Sequence, residues 1–446
     1  MSLKSHIQIT FVKHEIRDPI HGFIRFDSHE REVINSAPYQ RLREIHQLAM
    51  TYLVYPGATH KRFEHCLGVM ELASRIYDTV TDPANIYRDS VRALFSSLNP
   101  HRLYYWRTVL RMAALCHDLG HLPFSHGPED LLPPGWKHER LTMEIIRSPE
   151  MQPCWRLLKI AAEDGVKLAL GPKEYYKYNE TQLNDWETIL AEIIVGDVFG
   201  ADRMDYLLRN SLHAGVGYGR FDHLRLTDTL RILPRTEKGS QQPTLGIEEG
   251  GLQAAESLLW ARYLMYTQIY FHHVRRIYDV HLKEFLQAWL PNGKFSVGVK
   301  DHLQMTDSEV LTALRSAAKD PAVPGHEPAR RICERNHFRH LYQRNAIDQE
   351  VSMFSVDKVE QALKSQFDSS KFRRDTHRPQ NQQFSFPVFS RGERIQDSVT
   401  MSDTFKRPQT FAVDYVFVEP RLRDEAKRWL ESNKGAIIRA EEAPME

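Results

Sequence analysis

The stretch LCHDLGHLPFSH, residues 115–126, constrains this chain more than any other. It places three histidines, His117, His121 and His126, and one aspartate, Asp118, within ten positions. It also ends the run YYWRTVLRMAALCHDLG, which is apolar on nearly all sides near its end. A segment apolar all round belongs in a core, so the run predicts a buried central helix stopped at Gly120.

The surrounding pattern is mostly helical. In HKRFEHCLGVMELASRIYDTV, Phe63, Cys66, Leu67, Met70, Ala73, Tyr77 and Val80 recur at three- and four-residue steps, the mark of an amphipathic helix. DWETILAEIIVGDVFGADRMDYLLRN predicts a helix interrupted around Gly196–Gly200, and a long one covers GLQAAESLLWARYLMYTQIYFHHVRRIYDVHLKEFLQAWL. Between them, LRLTDTLRILP and QQPTLGIEEG predict a β-hairpin. After Pro291 the chain turns more polar: MTDSEVLTALRSAAKD is expected as helix, FDSSKFRRDTHRPQNQQ as an exposed basic loop, and FSFPVFS and TFAVDYVFVEP as short strands. The expected fold is mainly α, with a helical body over residues 1–295 and a smaller mixed α/β lobe over 296–446.

Composition bounds the function. With 446 residues, 41% of them hydrophobic, the chain can bury a large core. Its 59 basic and 58 acidic residues nearly cancel, so attraction to phosphate must come from local clusters. No apolar run approaches the roughly 20 residues of a membrane-spanning helix, and the N-terminus lacks the apolar core of a signal peptide. The expectation is a soluble, cytoplasmic chain without a membrane partner. Cys66, Cys116, Cys154 and Cys333 are scattered and form no CxxC pair, so they read as small apolar residues in a reducing compartment.

On a helix, His117 and His121 share a face, whereas Asp118 is turned by about 100°. Imidazole and carboxylate donors suit zinc, manganese, iron or magnesium, and the lack of nearby thiols disfavours a structural zinc. The competing reading is a helix C-terminus whose histidines suit its dipole. Other segments offer partners. Arg62 and His65 stand three apart, His138 adjoins Glu139, and Asp202, Tyr206 and Asn210 are spaced by four. Taken alone, such pairs and stripes are more often exposed faces. Arg262, Tyr266, Tyr270 and His273 form a further stripe, which begins with a cation and ends with an imidazole.

The order of these pieces carries more than any one of them. His65, His117-Asp118, His138-Glu139 and Asp202 resemble the H...HD...D arrangement of the HD-domain metal-dependent phosphohydrolases. DPIHGFI, YQRLREIHQL, YPGATHKRFEHCLGV, LCHDLGHLPFSH and DRMDYLLRN together resemble the dNTP triphosphohydrolase branch, which includes animal enzymes carrying a sterile-alpha-motif domain before the HD domain. The resemblance runs from about Asp18 to about Phe285 and continues more weakly through MTDSEV and CERNHFRHLY.

The resemblance implies a divalent metal ion, manganese, magnesium, iron or zinc, on His65, His117, Asp118 and Asp202. It implies His126, His121, His138 and Glu139 around the α-phosphate, and Arg62, Arg203 and Arg262 on the triphosphate. Gln47 and Leu48 would check the sugar, and Tyr206, Asn210 and Tyr270 would face the nucleoside. The implied activity is hydrolysis of deoxynucleoside triphosphates to deoxynucleoside and tripolyphosphate by a homodimer or homotetramer. Nucleic acid is a compatible but not a required partner.

The sequence also departs from the pattern. Asn210 stands where the animal enzymes have an aspartate, and Arg203 replaces a lysine. At the animal enzymes' nucleotide effector site, Gln40 and Arg43 match, whereas Asn35 and Arg17 differ, which puts activation by a guanine nucleotide in question. Two alternatives stay open. One is an HD phosphohydrolase or phosphodiesterase acting on another nucleotide or a nucleic-acid end; the other is a non-catalytic nucleotide-sensing or nucleic-acid-binding protein.

Overall fold

In the computed structural model, residues 13–125, 127–237, 240–377, 384–390, 392, 394–407 and 411–439 are described. The fold is mainly α, with three small sheets among these residues. None of the described helices is long and apolar enough to cross a membrane.

The central layer is built from helices that the apolar spacing predicts. The Arg62–Val80 helix buries Phe63, Cys66, Leu67, Met70, Ala73, Tyr77 and Val80. It packs against the Pro100–Cys116 and Ala201–Ala214 helices. Close packing is needed at Gly68, where a Cβ would stand 2.0 Å from Asp205 Oδ1 and 2.3 Å from Arg209 Nη2. The third predicted helix breaks where glycines allow it, into Asp185–Val195 and Ala201–Ala214.

Two of the helical expectations need correction. The central helix ends at Cys116, four residues before Gly120, so His117–Gly120 form a turn and His117 and His121 do not share a helical face. Gly120 serves a different need. A Cβ there would lie 2.1 Å from His138 O and 2.4 Å from Thr142 N of the His138–Arg147 helix. The long fourth helix is likewise divided into Leu252–Met265, a π-helical turn over Tyr266–Tyr270, and His273–Trp289. The break turns His273 out of the predicted stripe, and its ring lies against His272 and His340.

The hairpin forms as Leu230–Glu237 against Ser240–Glu248, preceded by a short His223–Thr229 helix. Ser240–Glu248 then pairs in parallel with Pro387–Phe389, which pairs with Ile395–Asp397. Through this return, Phe384, Phe386, Val388 and Phe405 join the main core of the helical body. A second sheet has the order Arg339–Gln343, Val413–Val418, Phe372–His377, all antiparallel.

The segment expected as a basic loop therefore supplies an edge strand, Phe372–His377, in which Phe372 and Asp375 are buried; residues 378–383 lie outside the described residues. The four cysteines are free; Cys66, Cys116 and Cys154 are buried, and Cys333 is exposed.

Candidate metal centre and its cavity

His65 comes from the first turn of the Arg62–Val80 helix, His117 and Asp118 from the turn after Cys116, and Asp202 from the start of the Ala201–Ala214 helix. Their donor atoms converge. His65 Nε2 is 3.0 Å from Asp202 Oδ1 and 3.8 Å from Asp118 Oδ2. His117 Nε2 is 3.4 Å from Asp118 Oδ1 and 3.5 Å from Asp202 Oδ1, buried and without a hydrogen-bond partner. Its other nitrogen, Nδ1, donates to Ala114 O at 2.8 Å, which fixes the ring with Nε2 inward.

Single ligand atoms of His65, His117 and Asp118 lie within 4.8 Å of one another. A buried, unpartnered imidazole nitrogen beside two carboxylates fits a divalent cation with nitrogen and oxygen ligands. The pKa shifts agree with that electrostatics. Burial alone would push His65 down, yet hydrogen bonds to Asp202 and Asp205 raise it to about 9. Burial would push Asp118 up, and the charge of Arg62, with His117 beside it, holds it well below the usual carboxylate range.

Behind the cluster lies a layer to which the sequence reading assigned no role. Asp205 Oδ2 accepts from His65 Nδ1 at 2.7 Å and from Arg209 Nε at 2.8 Å. His21 Nε2 reaches Asp205 Oδ1 at 2.7 Å, and Arg209 Nη1 donates to Asp18 Oδ2 at 2.9 Å. Arg209 and Asp205 are fully buried. The signals were present in quoted motifs: Asp205 follows Asp202 by three, Arg209 follows Asp205 by four, and Asp18 and His21 sit in DPIHG.

A cavity of about 990 Å³ opens from the cluster. At its metal end stand His117, Asp118, Asp202, Arg62, His121, His138 and Glu139. Arg62 donates from Nη1 to Asp118 Oδ2 and from Nε to Ser125 Oγ. His121 Nε2 is 3.1 Å from Asp118 Oδ1, and its ring stacks on His138 at 4.1 Å. Burial, with Arg62 and His138 nearby, holds His121 well below its usual range. His138 Nδ1 reaches Glu129 Oε1 at 2.6 Å and Glu139 Oε2 at 3.4 Å. Against burial, Glu129 and Glu139 raise His138. The two stacked imidazoles are thus shifted in opposite directions. His126 lies outside the described residues.

The same cavity is also lined by Gln47, Leu48, Tyr206, Asn210, Tyr266 and Tyr270. Gln47 Oε1 is buried without a hydrogen-bond partner, an acceptor suited to a hydroxyl donor. Asn210 accepts from His60 Nε2 at 2.7 Å and donates to Tyr270 OH at 2.8 Å. Burial pushes His60 down to about 3, so this edge is neutral. Arg203 and Arg262 lie beside Tyr206 and Tyr266, two of the lining residues. The Arg262 guanidinium stands 5.5 Å from the Tyr266 ring centroid. The two effector-site matches meet each other, with Arg43 Nε donating to Gln40 Oε1 at 2.9 Å.

Known sequences and structures bear on this geometry. Residues 62–164 match the HD domain and residues 221–370 the HD associated region. The chain is 33% identical over 300 residues to an uncharacterized protein of Methanocaldococcus jannaschii, covering 67% of this chain and 54% of that protein. It is 33% identical over 271 residues to the uncharacterized YwfO of Bacillus subtilis, covering 60% and 54%. With the deoxynucleoside triphosphate triphosphohydrolase SAMHD1 of Gallus gallus it shares 28% identity over 365 residues, covering 73% and 55%. The chain spans about half the length of these curated relatives. Among solved structures, a hypothetical protein from Aquifex aeolicus superposes with a TM-score of 0.75 at 30% identity, over 94% of this chain and 100% of that one. A phosphohydrolase from Bacteroides thetaiotaomicron shares the fold, with a TM-score of 0.67 at 21% identity, over 91% and 99%.

Proposed function

The chain belongs to the HD-domain phosphohydrolase family, and on that premise we propose that it hydrolyses deoxynucleoside triphosphates at the α-phosphate, releasing deoxynucleoside and tripolyphosphate. One observation carries the reading. A single cavity is lined by His117, Asp118 and Asp202 of the donor cluster, by Gln47, whose amide oxygen is buried and unsatisfied, and by Tyr206, Asn210 and Tyr270. Its volume of about 990 Å³ suits a nucleotide. Groups suited to a phosphate, a sugar hydroxyl and a base thus share one cavity, the three needs of a nucleoside triphosphate.

His65, His117, Asp118 and Asp202 would hold the divalent ion, which when bound supplies Lewis-acid polarisation and a more acidic water. In the reaction, a water oxygen joins the α-phosphorus, the bond to the 5′-oxygen breaks, and that oxygen leaves with a proton. His126 is assigned the proton transfer, a role commonly worth about 10² to 10⁴ in rate. Neutral His121 and the raised His138, braced by Glu129, are assigned to the phosphate. Arg62 would bind a phosphate oxygen through its guanidinium fork. Leu48 limits room beside the sugar, while Gln47 accepts from its hydroxyl. Arg203 and Arg262, beside Tyr206 and Tyr266, would contribute positive potential toward the triphosphate. Assembly into a dimer or dimer of dimers belongs to the same proposal and is read by sedimentation.

The test is product identification by chromatography and phosphate analysis over dNTPs, rNTPs, dNMPs and cyclic nucleotides, with manganese, magnesium, iron and zinc each tried. Tripolyphosphate and deoxynucleoside are the expected products. Phosphate release from another nucleotide alone would favour a different HD phosphohydrolase activity. Nucleotide binding without turnover under full metal loading would favour a sensor.

A further inference from the structure

The MTDSEV segment lies in the HD-associated region, about 190 residues beyond the metal ligands of the HD turn, yet one of its side chains is among the most buried carboxylates in the molecule. Asp307 is 1% exposed and opens the Asp307–Ala317 helix. It is not needed to cap that helix. Thr306 accepts from Ser308 N, and Glu309 reaches back to Thr306 N at 2.8 Å. The Asp307 carboxylate turns instead into the HD body. Its Oδ1 accepts from Phe124 N at 2.7 Å, and its Oδ2 accepts from His46 N at 2.7 Å and meets His46 Nδ1 at 2.5 Å.

Both contacts lead straight to the cavity. Phe124 and Ser125 are consecutive non-glycine residues at φ 57° and 62°, a left-handed conformation that L side chains resist and that persists only where neighbours enforce it. Ser125 Oγ accepts from Arg62 Nε at 3.1 Å and donates to His46 O at 3.0 Å. On the other side, His46 immediately precedes Gln47 and Leu48. A second tie runs through the same segment. Arg41 donates to Met305 O at 2.8 Å from Nη2, and that Nη2 also donates to His121 O at 3.0 Å.

We propose that Asp307 is the positioning residue of this site: through the amides of Phe124 and His46 it holds the strained phosphate-side loop in register with the Gln47–Leu48 segment. Asp307 belongs neither to the donor cluster nor to the residues that line the cavity. The inference rests on the proposed nucleotide hydrolysis for its catalytic readout, and on amide exchange for its structural one.

The test compares Asp307→Ala and Asp307→Asn with Thr306→Ala, which weakens the same helix by removing its cap and leaves both amides paired. In the Asp307 variants kcat is expected to fall about 100-fold, the loss produced by a displacement of about 1 Å. Metal content is retained, KM changes by less than kcat, and the Phe124 and His46 amides lose protection from exchange. Thr306→Ala lowers Tm with kcat unchanged. A kcat within twofold of wild type in the Asp307 variants, or a loss that Thr306→Ala reproduces, would overturn the proposal. Should Asp307→Ala not fold, Asp307→Asn, which retains one acceptor and the side-chain shape, is read by the same measures. Should the wild-type chain hydrolyse no nucleotide, the proposed function fails, and exchange at Phe124 and His46 decides the role of Asp307 alone.

Discussion

A histidine ligand is only as well placed as the group that holds its second nitrogen. His65 is held by Asp205, which Arg209 and His21 hold in turn. Asp118→Asn is expected to abolish both metal binding and turnover, because an amide is a poor substitute for an anionic ligand. Asp205→Asn should leave the ligands in place and weaken metal binding about 10- to 100-fold, the usual cost of losing such a support. Metal titration of the two proteins separates the roles; full metal occupancy in Asp118→Asn would remove Asp118 from the ligand set. The motifs pointed to His65, His117, Asp118 and Asp202, whose side chains the structure brings together. Asp205 stood one helical turn from Asp202 in the same motif, but spacing cannot tell a ligand from the residue that orients one.

Between elements, charge pairs fasten the C-terminal sheet to the His273–Trp289 helix. Arg276 donates to both oxygens of Asp375 at 2.7 and 2.6 Å, and Glu284 is shared by His281 and Arg373. Burial would raise Glu284, yet the hydrogen bonds from His281 and Arg373 lower it from 4.5 to about 2. Because the folded value is depressed, the contribution to stability is complete above about 4.5 and is lost as pH falls toward about 2. Thermal melts across that window should show wild type losing stability with acid more steeply than Glu284→Gln; equal slopes would show that Glu284 does not couple the sheet to the helix. The same helix shows a limit of periodicity. Arg262, Tyr266, Tyr270 and His273 share a face only on an unbroken α-helix, and the π turn at Tyr266–Tyr270 leaves His273 elsewhere.

At the scale of the whole molecule, the chain after residue 383 returns to the helical body. Phe386 is 2% exposed, edge-on to Phe199 at 4.7 Å and to Phe405 at 4.9 Å. Truncation to alanine is expected to cost about 3–5 kcal/mol, as for other buried aromatics, measured by urea unfolding; a loss below about 1 kcal/mol would mean that this return is peripheral to the core.

The sequence by itself determined the helical character, the three- and four-residue apolar faces and the hairpin, and its motifs named the four residues proposed as ligands. Those features are local in spacing or carried by short motifs. Only the tertiary structure decided that His117 and Asp118 lie in a turn, that Arg203 and Arg262 stand beside Tyr206 and Tyr266, and that Asp307 reaches Phe124 and His46. Each depends on which distant segment fills the neighbouring space, and a buried carboxylate must find its donors wherever packing brings them.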